Sequence, residues 1–184
     1  MKTERAFNEN EKEKWYAVYT RSKCEKVVKK DISEYCVVYL PIQIVKRKWS
    51  DRYKKLEVPL IPSYVFAKFS GNNRFRIYRH PNVVTIVGIN GRPNPIPEKE
   101  IDLVRRIEAS RLPFQFTRSD YHLNLGDKLL FNSGPLMGEE GYLQRFLNNS
   151  KVYLHVPSLN GYFVADIKKV SPHYSEMEIE EVFG

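Results

Sequence analysis

Four glycines, at positions 126, 134, 138 and 141, punctuate the stretch LGDKLLFNSGPLMGEEGYL that spans residues 125–143. Glycine weakens a strand interior, so its repetition among strand-like residues marks tight turns and reversals. Gly126-Asp127 reads as a turn into a strand, Gly134-Pro135 as its end, and Gly138 and Gly141 as a reversal into the next strand. From Leu123 to Pro172 the same grammar continues, with short strands at Lys128–Asn132, Gly141–Phe146, Val152–Val156, Gly161–Ala165 and Ile167–Val170. Short strands this closely spaced predict a small SH3-like barrel. The glycines cradle no phosphate, because GxxxxGK[ST] is absent and no helix follows.

The preceding residues obey a different rhythm. Lys14–Thr20 (KWYAVYT) reads as a strand, and Ser22 with Glu25 three positions later forms a capping box for a helix. Cys24, Val27, Val28, Ile32 and Tyr35 recur at helical spacing and define its inward face. Val37–Val45 is a second strand with an edge or bend at Pro41, and Tyr64–Phe69 a third. A short helix over Asn72–Arg79, a strand at Val83–Val87 and a helix from Pro97 to Ala109 follow, the last with Ile101, Val104 and Ile107 inward. The order β-α-β-β-α-β-α predicts a ferredoxin-like sandwich. The fold class is therefore α+β, a ferredoxin-like α/β sandwich followed by a small SH3-like β-barrel. The expected parts are a charged leader (1–13), the sandwich (14–109), a linker (110–122), the barrel (123–173) and an acidic tail (174–184).

Charge follows the same division. Residues 1–110 carry 23 Lys+Arg against 13 Asp+Glu, or +10, while residues 111–184 carry 7 against 9, or −2. A basic half joined to a slightly acidic one points the sandwich toward a polyanion, although charge also serves plain solubility. Six of the basic residues fall within Lys46–Lys55 (KRKWSDRYKK), a basic hairpin or loop that holds Trp49 and Tyr53 as rings available for stacking on nucleic acid.

Several chemistries have no residues to support them. Cys24 and Cys36 form no CxxC and have no nearby histidine pair, so a zinc site is not expected. They read as reduced thiols of a cytosolic protein. The four histidines (80, 122, 155 and 173) show no ligand spacing, and neither cysteine has a matched base and orienting acid. No cofactor, metal or catalytic residue is expected. The N-terminus lacks the apolar core of a signal peptide, and no run approaches a membrane span.

The glycine spacing, G-D, six intervening residues and G-P-x-x-G-x-x-G, resembles the KOW motif. Lys14–Glu25 (KWYAVYTRSKCE), Leu60–Phe69 (LIPSYVFAKF) and Pro95–Ile107 (PIPEKEIDLVRRI) resemble the N-terminal domain of NusG-type transcription elongation factors. The four matches stand in the family's order. The WYAVYTRS opening and the short segment from Phe69 to Arg79 are similar to antitermination paralogues of the RfaH and UpxY kind.

The resemblance implies a cytoplasmic, monomeric, non-enzymatic factor that docks on the clamp of bacterial RNA polymerase beside the non-template DNA strand. It also implies suppression of pausing and termination at particular long operons, with the KOW barrel recruiting a ribosomal protein or a termination factor. Tyr19, Ile61, Pro62, Tyr64, Phe66 and Val84 fall at the family's polymerase-contact positions. Strand alternation puts Tyr64 and Phe66 on one face, where they either form an exposed aromatic patch or fill the core. Trp15 reads as core. Arg21, Lys23 and Lys26 at the first helix, with Arg74 and Arg76, face non-template DNA or the polymerase lobe across the cleft, or remain ordinary solvated charge. The barrel departs from the family at Ser158–Tyr162 (SLNGY) and at Glu139, both on the partner-binding surface. Two rival readings are an RNA-binding RRM, whose stacking rings would be residues 64, 66 and 69, and a KOW-containing ribosome-associated protein.

Overall fold

The structure is a computed structural model that describes residues 12–118, 127–145, 150–170 and 174–176. It forms two compact units, one built from the chain up to Pro41 with Pro62–Glu98, the other from Ile42–Ile61 and the chain from Lys99 on. In chain order the first elements are β1 (Lys14–Thr20), α1 (Glu25–Ile32), β2 (Val37–Tyr39), β3 (Ile42–Lys48), β4 (Tyr53–Pro59), β5 (Tyr64–Phe69), α2 (Gly71–Tyr78) and β6 (Val83–Ile86). Then come β7 (Gly88–Ile89), β8 (Arg92–Pro93), α3 (Glu98–Ser110), β9 (Gln115–Arg118), β10 (Asp127–Phe131), β11 (Glu140–Arg145), β12 (Ser150–Val156), β13 (Gly161–Asp166), α4 (Ile167–Val170) and β14 (Tyr174–Glu176).

The first unit is an antiparallel sheet in the order β2-β5-β1-β6. Helix α1 connects β1 to β2 and α2 connects β5 to β6, the split arrangement expected of a ferredoxin-like sandwich. Val18, Val28, Ile32, Val65, Ala67, Ile77 and Ile86 are buried in this unit. Helix α1 starts later than its capping signature predicts: Cys24 is the N-cap residue and makes no side-chain cap bond. Glu25 is buried and bonds elsewhere, so the Ser22 box does not form. Val27 is exposed, leaving Val28 and Ile32 as the buried stripe of α1.

The expected strand Val37–Val45 is broken at Leu40-Pro41 into β2 and β3, which pair with β5 and β4 respectively. Proline donates no ladder bond, so the break falls where one sheet must be left for another. A two-residue turn at Asn90-Gly91, both with positive φ, joins β7 to β8 in a short hairpin that the sequence reading did not anticipate.

The second unit holds the β3–β4 hairpin, α3 and a six-stranded antiparallel sheet in the order β14-β10-β11-β12-β13-β9. Ile101, Val104 and Ile107 of α3 are buried as the spacing predicts, with Leu103 beside them. The sheet buries Leu129, Phe131, Leu143, Val152, Leu154 and Phe163. Two readings change here. Gln115–Arg118, expected within the linker, is a strand that pairs with β13, and Ile167–Val170, expected as a strand, is a helical turn. Gly138 answers for its part of the glycine pattern: its φ is +84°, and its N–H donates to Phe131 O at 2.7 Å, closing the reversal before β11. Gly126 lies outside the described residues, as do most of the leader, part of the linker and the end of the tail.

Candidate functional site

Three loops at one end of the first unit's sheet are held together by backbone bonds. Thr20 N–H donates to Ser63 O at 2.8 Å, and Arg21 N–H to Asn82 O at 2.9 Å. The Glu25 carboxylate accepts the Ser63 N–H at 2.7 Å. Ser63 and Lys23 both adopt left-handed φ of +64°, a conformation that non-glycine residues hold only when their surroundings enforce it. His80 braces the third loop, accepting the Asn82 N–H at Nδ1 while Nε2 lies 3.0 Å from Asp31.

This frame gathers several of the residues singled out by sequence. Tyr19 pairs with Tyr64 across the β1–β5 ladder, their ring centroids 5.3 Å apart, and Thr20 pairs with Val83 at a bulge. Tyr19, Pro62 and Val84 are exposed, Val84 at 55%. All three lie toward one end of the sheet, with Arg21 and Lys23 exposed on the loop that continues from Tyr19.

The expectation of an open aromatic patch at Tyr64 and Phe66 does not hold. Their exposures are 4% and 1%, and Ile61 is also buried. The reason is legible in β5 itself. It lies between β1 and β2, and its first four residues, Tyr64 to Ala67, are all buried, so both faces are covered. A continuous apolar run without alternation is the mark of such a strand. Phe66 stacks at 6.0 Å on Tyr39 and pairs with Ala17, which makes it packing rather than surface. Trp15 is core as expected, its indole N–H donating to Glu98 at 3.0 Å.

The arginines of α2 are partly occupied. Arg76 lies 3.8 Å over the Tyr35 ring, and Arg74, half-buried, sits near the rings of Phe75 and Tyr78. Lys26 is exposed on α1.

In the second unit, both departures from the KOW pattern touch α3. Glu100, itself buried, accepts the Ser158 backbone N–H and hydroxyl, each at 3.0 Å, and Arg106 pairs with Glu139. No local pattern pointed to these partners, because each pair is separated by tens of residues.

Burial, with the Glu13 carboxylate adding and Arg76 opposing, pushes the Cys36 thiol up to about 11, and it donates to Ile32 O. A thiol so protonated is a poor nucleophile at neutral pH. Among the described residues no cluster of His, Cys, Asp and Glu could hold a metal, and no helix is long and apolar enough to cross a membrane.

A family model described as the transcription termination factor NusG matches residues 13–105. The chain belongs to the NusG family. The transcription termination/antitermination protein NusG of Staphylococcus epidermidis strain RP62A is 25% identical over 146 residues, covering 71% of this chain and 78% of that protein. The protein of strain ATCC 12228 gives the same figures. Among solved structures, NusG of Thermotoga maritima is similar at a TM-score of 0.58 and 21% identity, covering 91% of this chain and 98% of that one. The likeness extends the shared fold over both units. This NusG-family chain is accordingly a transcription termination/antitermination factor, with the mixed α/β unit and the small β-rich unit that such factors combine.

Proposed function

We propose that this NusG-family factor docks on the clamp of bacterial RNA polymerase beside the non-template DNA strand and suppresses pausing and termination at particular long operons. The observation that supports the reading is the exposure of Tyr19, Pro62 and Val84 toward one end of the sheet, near the Glu25–Ser63 bond and the exposed cations Arg21 and Lys23. A small rigid apolar surface rimmed by charge suits the apolar face of a partner helix. Tyr64 supports Tyr19 from behind, and Phe66 and Ile61 act as buried support. Arg21, Lys23 and Lys26 face DNA, with Arg74 and Arg76 as weaker contributors because aromatic rings already engage them.

The β-rich unit recruits a ribosomal protein or a termination factor through a surface altered at Ser158 and Glu139. The factor is non-catalytic, cytoplasmic and monomeric in this reading. Burial of Tyr64, Phe66 and Phe69 weighs against an RRM, since no ring of that strand is open for a base.

Binding of the full chain to purified polymerase tests the docking. Val84→Glu with Tyr19→Ala should weaken binding by at least about tenfold, as loss of interface anchors does. The unfolding midpoint should move little, because both side chains are exposed. Unchanged affinity would overturn the proposed docking surface.

A further inference from the structure

The β3–β4 hairpin carries a charge arrangement that the polymerase reading does not use. Its ladder places Lys46 opposite Lys55 and Arg47 opposite Lys54, so like charges face each other on two successive rungs and on opposite faces of the ribbon. Directly opposed like charges destabilise a strand pair. Among the described residues none of Lys46, Arg47, Lys48, Arg52, Lys54 and Lys55 stands in an ion pair. Among the described residues the repulsion is therefore uncompensated.

The root of the hairpin is anchored and its tip is not. Ile42 N–H donates to the Glu108 carboxylate at 2.7 Å, and Val45, Leu56 and Val58 are half-buried. Every residue from Lys46 to Lys55 is exposed. Two rings stand among the cations, Trp49 at 50% exposure and Tyr53 at 70%. Lys54 lies 5.1 Å over the Trp49 ring, on the face that also holds Arg47, while Tyr53 pairs with Lys48 on the face that holds Lys46 and Lys55.

We propose that this hairpin tip is a sequence-independent binding site for single-stranded nucleic acid, its cations neutralising phosphates and Trp49 and Tyr53 stacking on bases. Cations combined with exposed aromatic rings are the composition of single-strand grooves. A duplex hides the base faces that the rings need. A lipid surface is disfavoured because Lys46–Lys55 contains no aliphatic residue to insert. An acidic polypeptide would satisfy the cations and leave the rings idle. The site stands apart from the docking reading, and its test contains no polymerase.

The full chain is titrated with single-stranded DNA and RNA of mixed sequence while tryptophan emission is followed. Trp15 is buried, so a change on binding reports Trp49. Binding should quench emission with little dependence on sequence. With four ladder cations on phosphates, the log–log salt slope should be about −2.8, falling to about −1.4 in Lys46→Ala/Lys55→Ala, at roughly 0.7 per contact on single strands. Lys46→Arg/Lys55→Arg should keep the slope. Trp49→Ala should abolish the quench and weaken binding by about tenfold.

Three results would each overturn the proposal. The first is equal affinity for a duplex of the same length with emission unchanged. The second is displacement of the single strand by polyglutamate or anionic vesicles at equal charge concentration. The third is binding that survives the hairpin variants but disappears in Arg21→Ala/Lys23→Ala/Lys26→Ala.

Discussion

The Glu25 carboxylate accepts the backbone N–H of Ser63 at 2.7 Å, joining the first turn of α1 to the turn between β4 and β5. Glu25 is buried and Ser63 holds a left-handed φ, so one ionic hydrogen bond fixes a strained loop next to Pro62 and Tyr64. Removing the acceptor leaves a half-buried N–H without its partner. Glu25→Ala should cost about 1.5–3 kcal/mol in urea unfolding, the range for a hydrogen bond to a charged group. It should also weaken polymerase binding, because the proposed docking surface loses its frame.

Phe66 belongs to the core. Phe66→Ala should lower stability by about 3–5 kcal/mol, the usual cost of deleting a buried phenylalanine. Val84→Ala, at an exposed position, should stay within about 0.5 kcal/mol. Urea midpoints on the two variants separate these outcomes, and they explain why a docking test must use Tyr19 and Val84 rather than Phe66.

Burial raises the Cys36 thiol from 9.0 to about 11. The folded chain therefore holds this proton more tightly than the unfolded chain does. Its contribution is fully present below pH 9 and is lost as pH rises toward 11. Burial also raises Tyr35 and Tyr153, which add to the loss at the alkaline end. Urea midpoints should fall from pH 9 to 11, and Cys36→Ala should flatten the first part of that fall. Alkylation of Cys36 by iodoacetamide at pH 7.5 should be slow.

Glu100 accepts two bonds from Ser158, so Glu100→Ala should destabilise by about 1.5–3 kcal/mol. Ser158→Ala keeps the backbone bond and should cost about 1 kcal/mol. Hydrogen exchange at the Ser158 amide should accelerate in the first variant and change little in the second.

Local signals carried much of the fold. Helices α1, α2 and α3, the four strands of the first sheet and the glycine reversal at Gly138 follow from periodicity and backbone chemistry that neighbouring residues supply. Long-range partners did not show themselves. The strand at Gln115–Arg118 exists because β13 offers it an edge, and Ile167–Val170 turns helical although its residues favour a strand. Glu25 looked like a capping acid until Ser63, 38 residues away, claimed its carboxylate. At the candidate site, the family resemblance singled out Tyr19, Pro62 and Val84, and the structure leaves all three exposed. The same reasoning misjudged the exposure of Tyr64 and Phe66, because the unalternated run YVFA was weighed less than its ring content.

Pause escape by purified RNA polymerase on a template with a single defined pause tests the docking account most directly. The full chain should shorten the pause, and the folded Tyr19→Ala/Val84→Glu variant should leave the pause as long as with no factor added. Full antipausing activity in that variant would contradict the account.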